Sequence, residues 1–300
     1  MTGSGVEGRF AHYLWGKAPA WALSTDQRFS YYAYTPDSLR ESRRPIPLVI
    51  VVHGTLRQPQ VYRDEFVQFA EAHQCAVLAP LFPAGIVDPD DIDNYKRIEF
   101  LGIRFDQLLI DMVDEYARRY GLSLGSWYLH GFSGGGQFAH RFLYLHPERL
   151  AAVSIGAPGA VTLIDPERHW WVGTADMRER FGKEPDLDAV RRVPALLVIG
   201  ADDFGGQEVS VPEGSRHWMP DANHTGADRQ QRLESLHHNL AEHGVDVALE
   251  RVPGVAHSGR GVMPAVRRFF EHVMKQRGEL PAASSVARAT EGVPSEDPVH

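Results

Sequence analysis

Short apolar runs alternate with amphipathic stretches along most of this chain of 300 residues. The runs are rich in β-branched residues and show no polar alternation, which is typical of strands buried on both faces of a sheet. The stretches between them place apolar residues at helical spacing. Repeated strand–helix units predict an α/β protein with a mostly parallel central sheet and helices on both of its faces.

The boundaries of the predicted elements come from apolar periodicity and from the residues that interrupt it. Strands are predicted at residues 47–52, 76–79, 126–129, 150–155, 195–199 and 245–252, and residues 29–34 are expected to add an antiparallel edge strand. Helices are predicted at residues 61–73, 101–120, 137–145, 228–242 and 263–275. Residues 1–277 are accordingly expected to form a single domain. From Gly278 onward large apolar residues become rare, so residues 278–300 are predicted to be a disordered tail.

Composition argues against several classes of partner. The net charge is −8, whereas binding to nucleic acid requires a basic face. The single cysteine, Cys75, cannot form an internal disulfide or supply a cysteine-based metal site. No segment has the run of about eighteen apolar residues that a membrane span requires, and the first residues lack the pattern of a signal peptide. We therefore expect a cytoplasmic protein without nucleic-acid or membrane partners, and the sequence does not indicate its oligomeric state.

Residues 131–135 read Gly-Phe-Ser-Gly-Gly and fit the pattern G-x-S-x-G. An apolar strand runs directly into the motif and a helical stretch follows it, which is the context in which this pattern presents a nucleophilic serine. Glycines two residues before and after Ser133 remove side chains that would collide in so sharp a turn. The helix that follows would direct its N-terminal amides at a developing anion. We therefore predict that Ser133 is the nucleophile of a hydrolase.

A serine hydroxyl becomes a good nucleophile only when a neighbouring base takes its proton. His257 lies in the loop after the last predicted strand and before the final helix, where an imidazole can serve as that base. Two aspartates, Asp202 and Asp203, follow the strand at residues 195–199 and could orient the imidazole; we prefer Asp203. The order Ser, Asp, His is the one expected here, and all three sites lie where parallel strands end.

The chain resembles the α/β-hydrolase superfamily from about residue 31 to residue 270. A His-Gly pair, residues 53–54, follows a predicted strand, as such a pair follows the third strand in that superfamily. The resemblance implies that the backbone N–H of Thr55, or that of Leu56, joins the N–H of Gly134 in an oxyanion hole.

A weaker resemblance, over residues 47–160, is to the branch that contains polyhydroxybutyrate depolymerases, feruloyl esterases and dienelactone hydrolases. It rests on HGTLRQ at residues 53–58, YRDEF at residues 62–66 and the three glycines after Ser133. His53 is interpreted as a hydrogen-bonded loop residue, and Arg57 either anchors this loop or lies on the surface. Secreted depolymerases carry export signals and disulfides, which this sequence does not show, so a small soluble ester is the expected substrate.

Aromatic residues are the candidates for the substrate pocket. In this superfamily the segment that corresponds to residues 156–193 often forms a lid, and a short lid insertion is expected here. Trp170 and Trp171 in this segment either close the core beneath the lid or form the wall of an acyl or aryl pocket. Phe132 beside the nucleophile and Trp218 in a long loop are further pocket candidates.

No metal or cofactor is expected. The histidines show no HExxH arrangement, and glycine-rich nucleotide-binding motifs are absent from the sequence. The acidic cluster of one loop does not match the calcium-loop pattern, which requires a glycine and a terminal glutamate that are missing here. Its members are Asp88, Asp90, Asp91 and Asp93.

The function that these residues favour is hydrolysis of a carboxylic ester through an acyl-enzyme intermediate. Two alternatives remain open. The same triad also serves hydrolases of amide or carbon–carbon bonds, and a protein with this fold can bind a ligand without turning it over.

Overall fold

One large sheet forms the centre of the molecule. The computed structural model describes residues 13–205 and 209–280, and the part of the predicted tail beyond residue 280 lies outside the described residues. The strands of the described residues are β1 (Gly16–Lys17), β2 (Trp21–Ala22), β3 (Ser30–Thr35), β4 (Ile46–Val52), β5 (Ala76–Leu81), β6 (Glu99–Phe100), β7 (Ile103–Arg104), β8 (Leu124–Phe132), β9 (Leu150–Gly156), β10 (Ala195–Gly200) and β11 (Val247–Val252). The sheet has the order β1-β3-β5-β4-β8-β9-β10-β11, with β2 paired to β3, while β6 and β7 form a separate hairpin.

The strands from β5 to β11 in this order run parallel. This confirms the predicted mostly parallel sheet, and β4, β9 and β10 are buried along their whole length. The antiparallel strand predicted at residues 29–34 is β3, which pairs with β5. Its predicted place at the edge is wrong, because β1 lies outside it. A strand of two residues is too short to leave a periodic signal in the sequence.

Helices surround the sheet. They are α1 (Pro59–Asp64), α2 (Val67–His73), α3 (Phe105–Tyr120), α4 (Gly134–Leu145), α5 (Met177–Phe181), α6 (Leu187–Arg191), α7 (Arg229–Glu242) and α8 (Gly259–Gln276). Helix α4 packs against β8 and β9, α7 packs against β10 and β11, and α8 packs against β8 to β11. The helices nearest the predicted motifs therefore rest directly on the strands that precede those motifs.

The helices predicted at residues 137–145 and 263–275 begin earlier in the structure, at Gly134 and Gly259. Two other predicted helices include a turn. The helix predicted at residues 61–73 is divided into α1 and α2 at Phe66, whose ring is buried and lies 5.7 Å from that of Phe69. The helix predicted at residues 101–120 begins only at Phe105, because Leu101 and Gly102 form the turn between β6 and β7 with φ angles of 48° and 81°. In both cases the apolar spacing continues across a turn, so the sequence pattern does not show where the helix is interrupted or begins.

The sheet brings the predicted motifs to one edge. Strands β4, β8, β10 and β11 end, in that order, just before the His-Gly pair, Ser133, Asp203 and His257. Because parallel strands present their carboxyl ends on the same side, these four loops converge there.

The start of the predicted tail is tied to the domain. The carboxylate of Glu279 accepts hydrogen bonds from Ser126 Oγ at 3.0 Å and from the Tyr128 hydroxyl at 2.6 Å. Leu280, the last described residue, packs against the core. The first three residues assigned to the tail therefore continue the packed chain after α8.

Candidate active site

Ser133 occupies the tight turn between β8 and α4. Its φ of 56° and ψ of −112° are strained for a residue with a side chain. The Ser133 N–H donates to the carbonyl oxygen of Gly156 over 2.7 Å, which ties the turn to the end of β9. A Cβ on Gly131 would overlap the carbonyl group of Gly135, and a Cβ on Gly135 would overlap that of Val52. Close backbone contacts therefore require both glycines of the motif.

His257 and Asp203 lie in neighbouring loops at the ends of β11 and β10. The His257 Nδ1–H donates to Asp203 Oδ2 over 2.6 Å, so Nε2 is the ring nitrogen that can still take a proton. The side chain of Asp203 is 1% exposed, whereas that of His257 is 32% exposed. The two loops are joined by the Asp202 N–H, which donates to the carbonyl oxygen of Val255 over 2.9 Å.

Arg229 supports Asp203 from the other side. Its Nη1 donates to Asp203 Oδ1 over 3.3 Å and to the carbonyl oxygen of Gly205 over 3.1 Å. Sequence reasoning missed Arg229, because an arginine in the first turn of a helix carries no distinctive pattern. Asp202 is exposed, and its carboxylate accepts no hydrogen bond from the described residues. The geometry therefore places Asp203, and not Asp202, behind the imidazole of His257.

Ser133 and His257 line the same cavity, whose volume is about 670 Å³. The ring of Phe132, also in the lining, has its centre 4.9 Å from that of the His257 ring. The imidazole therefore packs on the residue next to Ser133, at the opening from which a substrate would approach.

The residues predicted to form an oxyanion hole carry backbone N–H groups without acceptors in the described ranges. Gly134 is the first residue of α4, and N–H groups in the first turn of a helix have no intrahelical acceptor. Thr55 and Leu56 line the cavity that contains Ser133, and their N–H groups donate to no acceptor among the described residues. The Leu56 side chain points to solvent with 83% exposure, whereas Thr55 is half-buried. Thr55 and Leu56 therefore share a cavity with Ser133, and Gly134 follows Ser133 directly in the chain.

The loop that carries Thr55 is held by His53 and Arg57. Nδ1 of the buried His53 donates to the Gly54 carbonyl over 2.8 Å, and its Nε2 accepts from the Phe82 N–H over 3.1 Å. Burial lowers the pKa of His53 to about 3, so its ring stays neutral. Arg57 donates from Nε to the Phe82 carbonyl over 2.9 Å and from Nη1 to the Thr55 carbonyl over 2.6 Å. Arg57 is therefore the loop anchor, one of the two alternatives that the sequence left open.

Asp93, Lys96 and Tyr62 line the cavity as well, and sequence reasoning did not assign any of them to the site. Lys96 is 7% exposed, and its ammonium group pairs with Asp93. Burial alone would raise the pKa of Asp93, but the Lys96 charge and hydrogen bond outweigh this and lower it. Burial raises the pKa of Tyr62 to about 12, so its hydroxyl keeps its proton at neutral pH. These residues lie in a loop and in short helices, where no periodic pattern indicates that they approach Ser133.

The three tryptophans predicted as pocket candidates lie elsewhere. Trp170 and Trp171 are each 6% exposed, and their indole N–H groups donate to the carbonyls of Arg97 over 3.1 Å and His217 over 3.0 Å. Together with Trp218 they line a separate depression of about 170 Å³. The described residues that line the Ser133 cavity include none from the candidate lid at 156–193. Among the predicted pocket side chains, the structure brings only Phe132 to Ser133.

The described ranges contain no group of three or more His, Cys, Asp or Glu side chains that could hold a metal ion. In the acidic loop, Asp88 and Asp91 pair with Arg216 and His217. Of the helices in those ranges, none is both long enough and apolar enough to cross a bilayer. Cys75 is buried, and burial raises the pKa of its thiol.

No protein-family model matches this chain, and no curated protein matches it. Several solved structures do. One is a poly(3-hydroxybutyrate) depolymerase from Bordetella parapertussis, with 23% identity and a TM-score of 0.66 over 93% of this chain and 97% of that protein. Another is poly(aspartic acid) hydrolase-1 from Sphingomonas sp. KT-1, with 21% identity and a TM-score of 0.63 over 80% and 92% of the two chains. A thermophilic esterase from Thermogutta terrifontis has 16% identity and a TM-score of 0.53 over 88% and 96%.

At these identities the likeness establishes the fold. Together with the sheet order and the serine turn between β8 and α4, it shows that the chain has the α/β-hydrolase fold, as the sequence predicted. The depolymerase belongs to the branch that the motifs at residues 53–66 and 131–136 resemble.

Proposed function

We propose that this protein is a serine hydrolase that cleaves a carboxylic ester through an acyl-enzyme intermediate. Two observations together carry the proposal. The buried Asp203 accepts a hydrogen bond from His257, and His257 lines the same cavity as Ser133. The similarity to an esterase and to a poly(3-hydroxybutyrate) depolymerase supports an ester as the substrate. A small soluble ester is favoured, because a cavity of about 670 Å³ has the size of a small-molecule site.

Acylation would begin with transfer of the Ser133 hydroxyl proton to His257 Nε2 as the serine oxygen attacks the ester carbonyl carbon. Asp203 holds the imidazole through Nδ1 and stabilises its protonated form. The oxyanion of the tetrahedral intermediate would accept hydrogen bonds from the N–H of Gly134 and from that of Thr55 or Leu56. A donor of this kind lowers the barrier by about 3 kcal/mol.

The intermediate would collapse as His257 gives its proton to the departing alkoxide, which leaves the acyl group on Ser133. A water molecule then takes the place of the alcohol. His257 takes a proton from this water as the water oxygen attacks the acyl carbon. The tetrahedral intermediate then collapses as His257 gives that proton to Ser133 Oγ, which releases the carboxylic acid and restores the serine hydroxyl.

Labelling with a fluorophosphonate probe tests the proposal, since the probe reacts with an activated serine. We expect a single adduct on Ser133 and expect Ser133→Ala to lose the adduct and at least about 10⁴-fold in kcat. Ser258→Ala is the matched control, because Ser258 lines the same cavity and its hydroxyl caps α8. A folded protein without an adduct on Ser133 would favour a ligand-binding role.

The same groups could cleave an amide or a carbon–carbon bond. Paired ester and amide substrates with the same acyl group separate these cases. We expect kcat/KM to be much higher for the ester; an amide cleaved at an equal or higher rate would overturn the assignment of bond type.

A further inference from the structure

The cavity at Ser133 is lined by more cationic than anionic side chains. Its lining contains the cationic side chains of Arg57, Lys96, Arg229 and Arg260, and Asp93 is the one carboxylate among the described lining residues. The chain as a whole carries a net charge of −8. The lining therefore has the opposite sign to the rest of the protein, which concentrates anions at this opening.

All four cations have partners in the described structure, because Lys96 pairs with Asp93 and Arg260 with Glu65, while Arg57 and Arg229 hold groups of the site itself. Arg57 holds the loop after β4 through carbonyl oxygens, and Arg229 binds the carboxylate of Asp203. Arg57 makes no ion pair with a carboxylate of the described residues, although the charges of Asp93 and Asp91 lie near enough to offset part of its own. Lys96 and Arg260 are left as the cations with donors for a ligand.

Lys96 lies beside the catalytic turn. Its Cε is 2.9 Å from the point where a Cβ on Gly134 would stand, so its ammonium group lies next to the first turn of α4. An ammonium group has three N–H donors, and in the described structure Lys96 gives one of them to Asp93. Lys96 is thus a buried cation with remaining donors in the wall of the cavity.

Arg260 lies at the rim, three residues after His257. Its side chain is 74% exposed, and its Nε donates to Glu65 Oε1 over 2.7 Å. Its two terminal nitrogens donate to no acceptor in the described ranges. A guanidinium group offers paired donors that match the two oxygens of a carboxylate.

Apolar side chains are a minority in this lining. They are Leu56, Val61, Tyr62, Ile92 and Phe132. An uncharged hydrocarbon group filling the cavity would separate the cations from water without offering them a hydrogen-bond acceptor, which is unfavourable.

We propose that the natural substrate carries a carboxylate close to its ester bond, and that Lys96 and Arg260 bind this carboxylate while Ser133 attacks the ester. The inference rests on the proposed function and narrows its substrate class. The carboxylate belongs either to the acyl part or to the alcohol part of the ester, and both use the same two cations.

Two pairs of isosteric substrates test this. The first is the mono-para-nitrophenyl ester of glutaric acid against the corresponding ester of glutaramic acid. The second is para-acetoxybenzoate against para-acetoxybenzamide. After subtraction of spontaneous hydrolysis, we expect the anionic member of at least one pair to have a kcat/KM about 10-fold higher at low ionic strength. This preference should shrink to about 3-fold or less at about 0.5 M salt, because salt screens exposed charges.

Lys96→Gln and Arg260→Gln should each reduce the anionic preference of that pair about 5-fold, judged by the ratio of the two kcat/KM values within one variant. Lys275→Gln is the charge-matched control, since Lys275 is exposed in the last turn of α8. If Lys96→Gln does not fold, the inference is tested by Arg260→Gln and by the salt dependence of the anionic preference in the unaltered protein. Turnover without anionic preference in either pair would overturn this inference and leave the hydrolase proposal intact. Absence of both turnover and fluorophosphonate labelling would overturn the two together.

Discussion

Two adjacent aspartates at the end of β10 have opposite environments. Asp203 is buried between His257 and Arg229, whereas Asp202 is exposed. The two residues lie in a turn, in which neighbouring side chains point in different directions, and only the Asp203 carboxylate reaches the imidazole. At the scale of single residues, hydrogen-bond partners therefore separate groups that have the same chemistry.

Replacing the two aspartates in turn tests this difference. Asp203→Asn should lower kcat by about 10³- to 10⁴-fold, because an amide holds the wrong tautomer of His257 and does not stabilise its charged form. Asp202→Asn should change kcat by less than about 3-fold, since surface substitutions are usually small in effect. Kinetics with an activated aryl ester, with circular dichroism as a check of folding, would measure both. A reversed ranking would disprove the assignment of Asp203.

Arg57 gives a second prediction at this scale. Arg57→Lys keeps the charge but cannot bind both the Phe82 and the Thr55 carbonyls with the geometry of a guanidinium group. We expect kcat to fall about 10- to 100-fold with little change in KM, because the N–H donors of the loop would shift while the cavity remains. Steady-state kinetics measures the two constants separately. An effect on KM alone would show instead that Arg57 acts by binding the substrate.

At the scale of elements, the site depends on how closely strands and helices approach one another. Helix α4 begins directly after Ser133, and Gly135 in its first turn lies against the carbonyl of Val52 at the end of β4. This contact brings the loop with Thr55 close to Gly134. A side chain at position 135 would therefore push the N–H of Gly134 away from those of Thr55 and Leu56, the donors of the predicted oxyanion hole.

Gly135→Ala should destabilise the protein by several kcal/mol or change the turn, because the added methyl group would overlap backbone atoms that cannot move independently. Gly182→Ala is the control: Gly182 has a φ of 76° and open space around its Cβ position, so only about 1 kcal/mol of backbone strain is expected. The free energy of unfolding in urea compares the two. Equal losses of unfolding free energy in the two variants would show that the backbone around Gly135 can accommodate a methyl group.

At the scale of the whole molecule, buried histidines link stability to pH. Burial lowers the pKa of His53 and that of His130 to about 3, far below the ordinary value of 6.5. Between these values the unfolded chain binds protons that the folded protein does not bind. The stability that both residues contribute is therefore complete above pH 6.5 and is lost as the pH falls towards 3.

Each of these histidines should lower the free energy of unfolding by about 1 kcal/mol when the pH falls from 6.5 to 5.5. His130→Gln removes one titrating group, so the loss over this interval should be about 1 kcal/mol smaller than in the unaltered protein. His238→Gln should leave the loss unchanged, because His238 has a side chain that is 76% exposed. Urea unfolding at the two pH values measures the difference. A loss that is the same in all three proteins would contradict the linkage.

The sequence by itself determined the parallel sheet and the position of Ser133 between a strand and a helix. Both depend on local order: apolar periodicity within each element and glycine where the backbone turns sharply. The same local order placed His257 and the two aspartates at strand ends, and strand ends of a parallel sheet lie together wherever they occur in the chain.

Only the tertiary structure decided which groups meet at that edge. Arg229 comes to Asp203 from 26 positions along the chain, and Lys96 comes to Gly134 from a short helical turn without periodicity. The tryptophans illustrate the converse, since Trp170 and Trp171 are aromatic as a pocket requires but pack into the core away from Ser133. A side chain's neighbours across the sequence depend on how loops pack, and loops leave no repeating pattern from which that packing could be predicted.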